Sequence, residues 1–102
     1  MVLSDVKILW GITGLSEPAP DVAVIPNVRV PKEKLPSSFN VIEHGTRPRF
    51  ILEFVSPKYR KADREKKVDI YAQAGVAEYV FIGNSTKHAH AANGEIGSLF
   101  TL

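Results

Sequence analysis

The sequence places three charged residues where charge is unusual. Asp21 starts a short apolar segment, Glu53 lies inside an apolar run, and Lys67 falls on the apolar side of a predicted helix. Two carboxylates and a backbone carbonyl, here that of Phe54, can hold Mg²⁺ (or Mn²⁺) ions that keep several waters. Such a metal activates bound water, and a nearby ammonium can position that water or stabilise charge on a phosphate. This set of residues therefore indicates metal-assisted hydrolysis of a phosphodiester bond.

Each of these residues also has an ordinary structural interpretation when it is taken alone. An aspartate at the start of a strand, such as Asp21, can bond to nearby backbone donors. A lysine such as Lys67 can lay its stem on the core and keep its ammonium in water. Glu53 favours function more strongly, because a buried carboxylate needs a partner or a metal and its strand is so apolar. The functional interpretation rests on the three residues occurring together.

The elements that position these residues follow from the hydropathy pattern. Residues 6–12 and 21–25 are predicted as short strands, and residues 49–55 as a central strand with apolar residues on both faces. A helix is predicted within residues 58–73 and a fourth strand at residues 78–82. A strand, a helix and a strand in this order form a βαβ unit, so the third and fourth strands are predicted to be parallel.

Turn residues and a change of composition predict the boundaries. Asp63 is predicted as the N-cap of the helix and Gly75 as its stop. Residues 26–48 contain four prolines and are predicted as a long polar loop. After the fourth strand, small polar residues with weak periodicity predict a loosely structured C-terminal tail over residues 83–102, so the folded core would span residues 1–82.

The composition is that of one small globular domain. The chain has 102 residues, of which 44% are hydrophobic and 24% are charged. Its 13 Lys and Arg against 11 Asp and Glu give a net charge of +2, which permits nucleic acid as a partner without requiring it. The absence of cysteine excludes disulfides and fits a reducing compartment. Because there is no signal peptide and no apolar run of ~20 residues, we expect a cytoplasmic protein that does not enter membranes.

The motifs around these residues resemble a known nuclease signature, PD-(D/E)xK. Pro20-Asp21 is followed after a loop by Glu53-Phe54-Val55, and Val55 stands where that signature has its lysine. More specifically, the chain resembles the putative restriction endonuclease family that is abundant in cyanobacteria and was long described as a domain of unknown function. The segments that carry this resemblance are residues 20–24, 53–57, 63–67, 71, 75–76 and 78–79.

The resemblance implies a restriction-endonuclease-like α/β fold with a mixed β-sheet and a βαβ unit. It implies that Asp21 and Glu53 bind the metal and that Lys67, on the helix, replaces the lysine missing at Val55. Glu43 is a candidate for an accessory acidic position of the family. Compared with the family, the chain lacks an upstream helical segment and the Asp-Pro and strands that usually follow. It therefore resembles a core trimmed at both ends.

We therefore predict a Mg²⁺-dependent DNA endonuclease, and by analogy with nucleases that cut both strands we expect a homodimer. The alternative is a catalytically inactive nucleic-acid-binding or assembly module on the same fold, and a truncated product without its own function is a third. His88 and His90 have no third ligand in view and are interpreted as part of a solvated tail. A basic cluster is predicted to contact the phosphate backbone, unless it is only a solvated helix start: Lys58, Arg60, Lys61 and Arg64.

Overall fold

The structure is a computed structural model of the 102-residue chain. It describes residues 1–28, 37–55 and 61–83, together with the backbone of residues 86–91 and 94–101. These parts of the chain contain eight strands and two helices. In chain order they are β1 (Val2–Leu3), β2 (Lys7–Leu9), β3 (Val22–Val24), β4 (Ser38–Asn40), α1 (Val41–His44), β5 (Phe50–Phe54), α2 (Lys61–Gln73), β6 (Glu78–Ile82), β7 (Thr86–Ala91) and β8 (Gly94–Thr101).

A mixed sheet of six strands, in the order β1-β3-β5-β6-β7-β8, forms the body of the protein. β5 and β6 are parallel and α2 connects them, which confirms the predicted βαβ unit. The other neighbouring strands of this sheet are antiparallel. β2 and β4 pair in parallel as a separate two-stranded sheet. The protein thus has the predicted α/β fold with a mixed β-sheet.

β5 is a central strand, and its two faces are covered unequally in the described part of the chain. Ile51 and Glu53 are buried on the face towards α2, whereas Phe50 and Leu52 are only partly buried and Phe54 is 61% exposed. Among the described residues, the face that carries Phe50, Leu52 and Phe54 is therefore less well covered than the apolar pattern of the strand indicates. Hydropathy misleads here, because an apolar side chain on a strand gives the same pattern whether or not another element packs on it.

The core lies between the covered face of the sheet, α2 and the β2–β4 pair. Trp10 is among its largest side chains, and its ring meets that of Tyr71 edge-on at a centroid distance of 6.3 Å. The Trp10 backbone N–H donates to the Glu17 carboxylate (2.9 Å), and its indole N–H donates to the Ser16 carbonyl (3.1 Å). These hydrogen bonds hold the segment before Asp21, which includes Ser16 and Glu17, against the core. The buried apolar residues are Leu3, Ile8, Trp10, Ala23, Ile25, Phe39, Val41, Ile51, Ile70, Tyr71, Ala74, Val76, Tyr79 and Phe81.

The two ends of α2 differ in how well they could be predicted. The helix begins before Asp63, which lies in the first turn and is not the N-cap, although its charge still complements the positive end of the helix dipole. At the other end, Gly75 stops the helix as predicted and has a left-handed φ of 80°. Its N–H donates to the Ala72 carbonyl (3.2 Å), and the Val76 N–H donates to the Tyr71 carbonyl (3.1 Å). This pair of bonds is a Schellman motif.

We expect Gly75→Ala to lower the free energy of unfolding by about 1–2 kcal/mol, because a residue with a Cβ is strained at this φ. The Cβ would also lie 2.9 Å from Nη1 of Arg47, which donates to the Ala74 carbonyl (2.8 Å). Gly14→Ala is the matched control, because Gly14 has the same φ of 80° with nothing within 4 Å of an added Cβ. Urea unfolding should show the larger loss for Gly75→Ala. Equal losses would contradict a role for the Arg47 contact.

The predicted loop over residues 26–48 contains regular structure in its second part. β4 pairs with β2, and α1 follows β4 directly. Phe39 is fully buried, and the Asn40 side chain caps α1 by accepting a backbone N–H of its first turn (3.0 Å). The loop prediction is therefore wrong for residues 38–44. The four prolines and the polar residues between them indicate a loop over the whole segment, although it contains a strand of three residues.

The C-terminal part of the chain extends the sheet. The backbone of β7 pairs antiparallel with β6, and β8 pairs antiparallel with β7. The sequence predicts a loosely structured tail over residues 83–102, whereas the structure has strands over residues 86–91 and 94–101. The edge of β6 presents backbone N–H and C=O groups that another strand can satisfy whatever its hydropathy. Composition therefore does not reveal this pairing.

Candidate active site

Glu53 is 2% exposed, and both of its carboxylate oxygens accept hydrogen bonds. Oε1 accepts the backbone N–H of Asp21 at 2.8 Å. Oε2 accepts one hydrogen bond from the Lys67 ammonium and another from the Tyr71 hydroxyl at 3.3 Å. Lys67 and Glu53 also form an ion pair. A buried charge is tolerated when it is both paired and hydrogen-bonded, and Glu53 meets both conditions within the chain.

Asp21 lies beside Glu53 because β3 and β5 are antiparallel neighbours, so the start of one strand meets the end of the other. Oδ2 of Asp21 accepts the backbone N–H of Phe54 at 2.7 Å. The two carboxylates are thus held reciprocally, since each accepts an N–H from the segment that carries the other. Asp21 is half-buried, so its carboxylate stays within reach of solvent.

The carbonyl of Phe54 lies where the β3–β5 ladder is interrupted. The register pairs Val22 with Leu52. Because the direction of the backbone hydrogen bonds repeats every second residue in an antiparallel ladder, the next equivalent pair would be Pro20 and Phe54. Proline has no N–H, so β3 cannot donate a hydrogen bond to this carbonyl. The Phe54 N–H is diverted as well, because it donates to Asp21. Within the described residues, β3 therefore offers this carbonyl no ladder donor, and a backbone carbonyl oxygen is a ligand that Mg²⁺ can take.

Lys67 reaches this site from α2. Lys67, Ile70 and Tyr71 are spaced so that they share one face of the helix, and the last two are buried against the sheet. The Lys67 side chain is 32% exposed, so its stem packs on the protein while its ammonium lies against Glu53. The sequence predicts an inward lysine here, and the structure brings that lysine to the carboxylate. Val55, where the nuclease signature has its lysine, instead packs against the core.

These neighbouring residues carry oxygen donors of the type that a hard cation binds. They are the Asp21 carboxylate, Oε1 of Glu53 and the Phe54 carbonyl, and Mg²⁺ and Mn²⁺ prefer such ligands. The described residues contain no group of three or more His, Cys, Asp or Glu side chains that could hold a metal. A Mg²⁺ ion would therefore bind through few protein ligands and keep several waters, as it usually does. The residues present fit such an ion.

The other predicted site residues are not among these contacts. Glu43 is exposed on α1 and forms no metal-binding group with the two carboxylates, as far as the described residues extend. Lys61 is exposed and pairs with the glutamate four residues on (3.8 Å), and Arg64 is half-buried on α2. Lys58 and Arg60 lie outside the described residues.

Tyr71 is a residue of this site that the pattern of charges in the sequence does not reveal, because a tyrosine on an apolar helix face is typical of packing. One signal could have found it: Tyr71 follows Lys67 by four residues and so shares its helix face. A buried tyrosine also needs a partner for its hydroxyl, and here that partner is Glu53. The neighbouring Tyr79 differs in its surroundings, since burial raises its pKa and the Asp69 carboxylate acts in the same direction.

The mixed sheet with its βαβ unit is that of a restriction-endonuclease-like α/β protein. Residues 1–95 match the family model of Uma2, described as a putative restriction endonuclease, and the chain belongs to this family. The match confirms the family that the motifs around Asp21 and Glu53 predict. A search of curated proteins found no match to the chain. Within the described residues, no helix has the length and apolar character needed to cross a membrane.

Proposed function

We propose that this protein is a metal-dependent DNA endonuclease that hydrolyses phosphodiester bonds with metal-activated water. The observation that carries the proposal is the hydrogen-bonded meeting of Asp21, Glu53 and Lys67 at the adjoining ends of β3 and β5. Membership of a family described as a putative restriction endonuclease supports the same activity. Two carboxylates and a lysine in a chain of this family favour the DNA backbone as the substrate.

In the proposed reaction, the protein groups bind and orient. Asp21, Oε1 of Glu53 and the Phe54 carbonyl would hold Mg²⁺ or Mn²⁺, which when bound supplies activated water and stabilises charge at the phosphate. Backbone N–H groups already orient both carboxylates, so little rearrangement is needed to present them. Lys67, whose side chain is 32% exposed, adds a positive charge that would stabilise the phosphate.

The proposal extends to DNA as the partner and to a homodimer as the assembly. Positive charge around the start of α2 would add phosphate contacts, and such contacts weaken as salt rises. One site of this kind cuts one strand, so cleavage of a duplex would use two copies of the chain. Analytical ultracentrifugation with and without a DNA duplex measures this assembly. The residues that would supply the charge are Lys58, Arg60, Lys61 and Arg64.

Nicking of supercoiled plasmid DNA by the purified protein tests the proposal. We expect nicking in Mg²⁺ or Mn²⁺, none after chelation with EDTA, and loss when alanine replaces Asp21, Glu53 or Lys67. Circular dichroism must show that each variant folds, because Glu53 and Lys67 also compensate each other's charge. Nicking that survives all three substitutions would mean that another site or a contaminating nuclease is responsible.

A catalytically inactive nucleic-acid-binding or assembly module is the second candidate. One observation favours it: Glu53 is already hydrogen-bonded and charge-paired within the chain, so its burial does not require a metal. Folded protein that binds DNA in a salt-dependent manner, but nicks it with no divalent metal, would favour this candidate over the nuclease.

A further inference from the structure

The two oxygens of Glu53 have different surroundings. Oε1 lies against the Asp21 N–H, at the strand end that carries Phe54, and Oε2 lies under α2 against Lys67 and Tyr71. We propose that Tyr71 is a positioning residue, whose hydroxyl holds Oε2 so that Oε1 faces the candidate metal site. This inference rests on the proposed function and adds to it a residue that contacts neither metal nor substrate.

Tyr71 is suited to this task because its ring is packed on two sides. The residue is fully buried, and the rings of Trp10 and Tyr79 flank it at centroid distances of 6.3 and 5.8 Å. Its carbonyl is also bound, by the Val76 N–H at the end of α2 (3.1 Å). A ring held in this way fixes the direction of its hydroxyl, which lies 3.3 Å from Oε2 of Glu53.

Lys67 bonds to the same oxygen but cannot take over this role. Its side chain is 32% exposed and has a flexible stem, and in the proposed reaction its ammonium also serves the phosphate. Tyr71 is then the buried donor that stays on Oε2. Removing a partner that orients a metal ligand from behind commonly weakens metal binding by about 10–100-fold. Loss of the Tyr71 hydroxyl is therefore expected to reduce metal affinity while every ligand remains.

Mn²⁺ titration followed by electron paramagnetic resonance measures metal binding without relying on cleavage. We expect Tyr71→Phe to weaken Mn²⁺ binding by about tenfold. Tyr79→Phe is the matched control and should leave the affinity unchanged. Tyr79 is as buried as Tyr71 and packs against it, and the described hydrogen bonds to Glu53 come from Asp21, Lys67 and Tyr71.

A second measurement needs no metal. Unfolding equilibria of Tyr71→Phe, Glu53→Gln and the double variant form a thermodynamic cycle, in which we expect coupling of about fivefold in the equilibrium constant. Additive effects, unchanged Mn²⁺ affinity in Tyr71→Phe, or equal weakening in both tyrosine variants would overturn the role of Tyr71 and leave the proposed nuclease intact. A folded wild-type protein that neither binds Mn²⁺ nor nicks DNA would overturn the proposed function, and this inference with it.

Discussion

Replacing Lys67 with methionine is expected to lower the free energy of unfolding by about 3 kcal/mol. Within the described part of the chain, Lys67 is the cation paired with the Glu53 carboxylate, which is 2% exposed. Among the described contacts of Glu53, the variant leaves only neutral donors to this buried charge. We place the loss at the lower end of the usual ~3–5 kcal/mol, because the Lys67 side chain is 32% exposed and water relieves part of the imbalance.

Urea unfolding followed by the fluorescence of Trp10, the single tryptophan, measures this loss. Lys66→Met is the matched control, because it removes the same charge from the neighbouring, exposed position and should change stability by less than about 0.5 kcal/mol. The double variant Glu53→Gln with Lys67→Met should be more stable than Lys67→Met, since no buried charge is left without its partner. Equal losses for the two lysine variants would show that the ion pair adds nothing to folding.

Asp21→Asn is expected to reduce metal-dependent nicking by about 10²–10³-fold while the protein stays folded, because it removes several kcal/mol of charge stabilisation at the metal. The amide oxygen can still accept the Phe54 N–H, and the side chain is only half-buried, so we expect stability to change by less than about 1 kcal/mol. Initial rates of plasmid nicking across Mg²⁺ and Mn²⁺ concentrations measure the effect.

Asp69→Asn is the control for the loss of one carboxylate. Asp69 is exposed on α2, where it accepts the amide of Gln73 (2.8 Å), and it has no contact with Glu53 among the hydrogen bonds of the site. Its replacement should leave nicking unchanged. If Asp21→Asn nicks as fast as the wild type, hydrolysis does not depend on this carboxylate and the proposed metal site is wrong.

Local sequence pattern predicts the parts of the fold whose residues lie close together in the chain. β5, β6 and α2 follow from apolar alternation, helical spacing and the stop at Gly75, and the parallel pairing follows from their order. β4 and the β7–β8 hairpin could not be predicted in this way. These strands form hydrogen bonds with the backbone N–H and C=O groups of a partner strand. Such pairing does not depend on the hydropathy of the side chains.

The residues of the candidate site also differ in how well the sequence predicts them. Asp21, Glu53 and Lys67 are predictable because each puts charge into an apolar pattern, where it needs an explanation. Tyr71 has only a weak signal in the sequence, its spacing of four residues from Lys67, since a tyrosine on an apolar helix face is ordinary core unless its hydroxyl meets a carboxylate. That Pro20 would lie opposite Phe54 depends on the strand register, which no local pattern contains.

The sequence by itself determines which groups the protein holds for chemistry: two carboxylates, a lysine and a strand–helix–strand unit to carry them. Only the tertiary structure decides that they meet, because Glu53 is 32 residues from Asp21 and 14 from Lys67. The β3–β5 register brings Asp21 next to Glu53. The rotation of α2 about its axis turns Lys67 towards Glu53. A slip of one residue in β5 would turn Glu53 to the face of the sheet that carries Phe54, away from Lys67 and Tyr71.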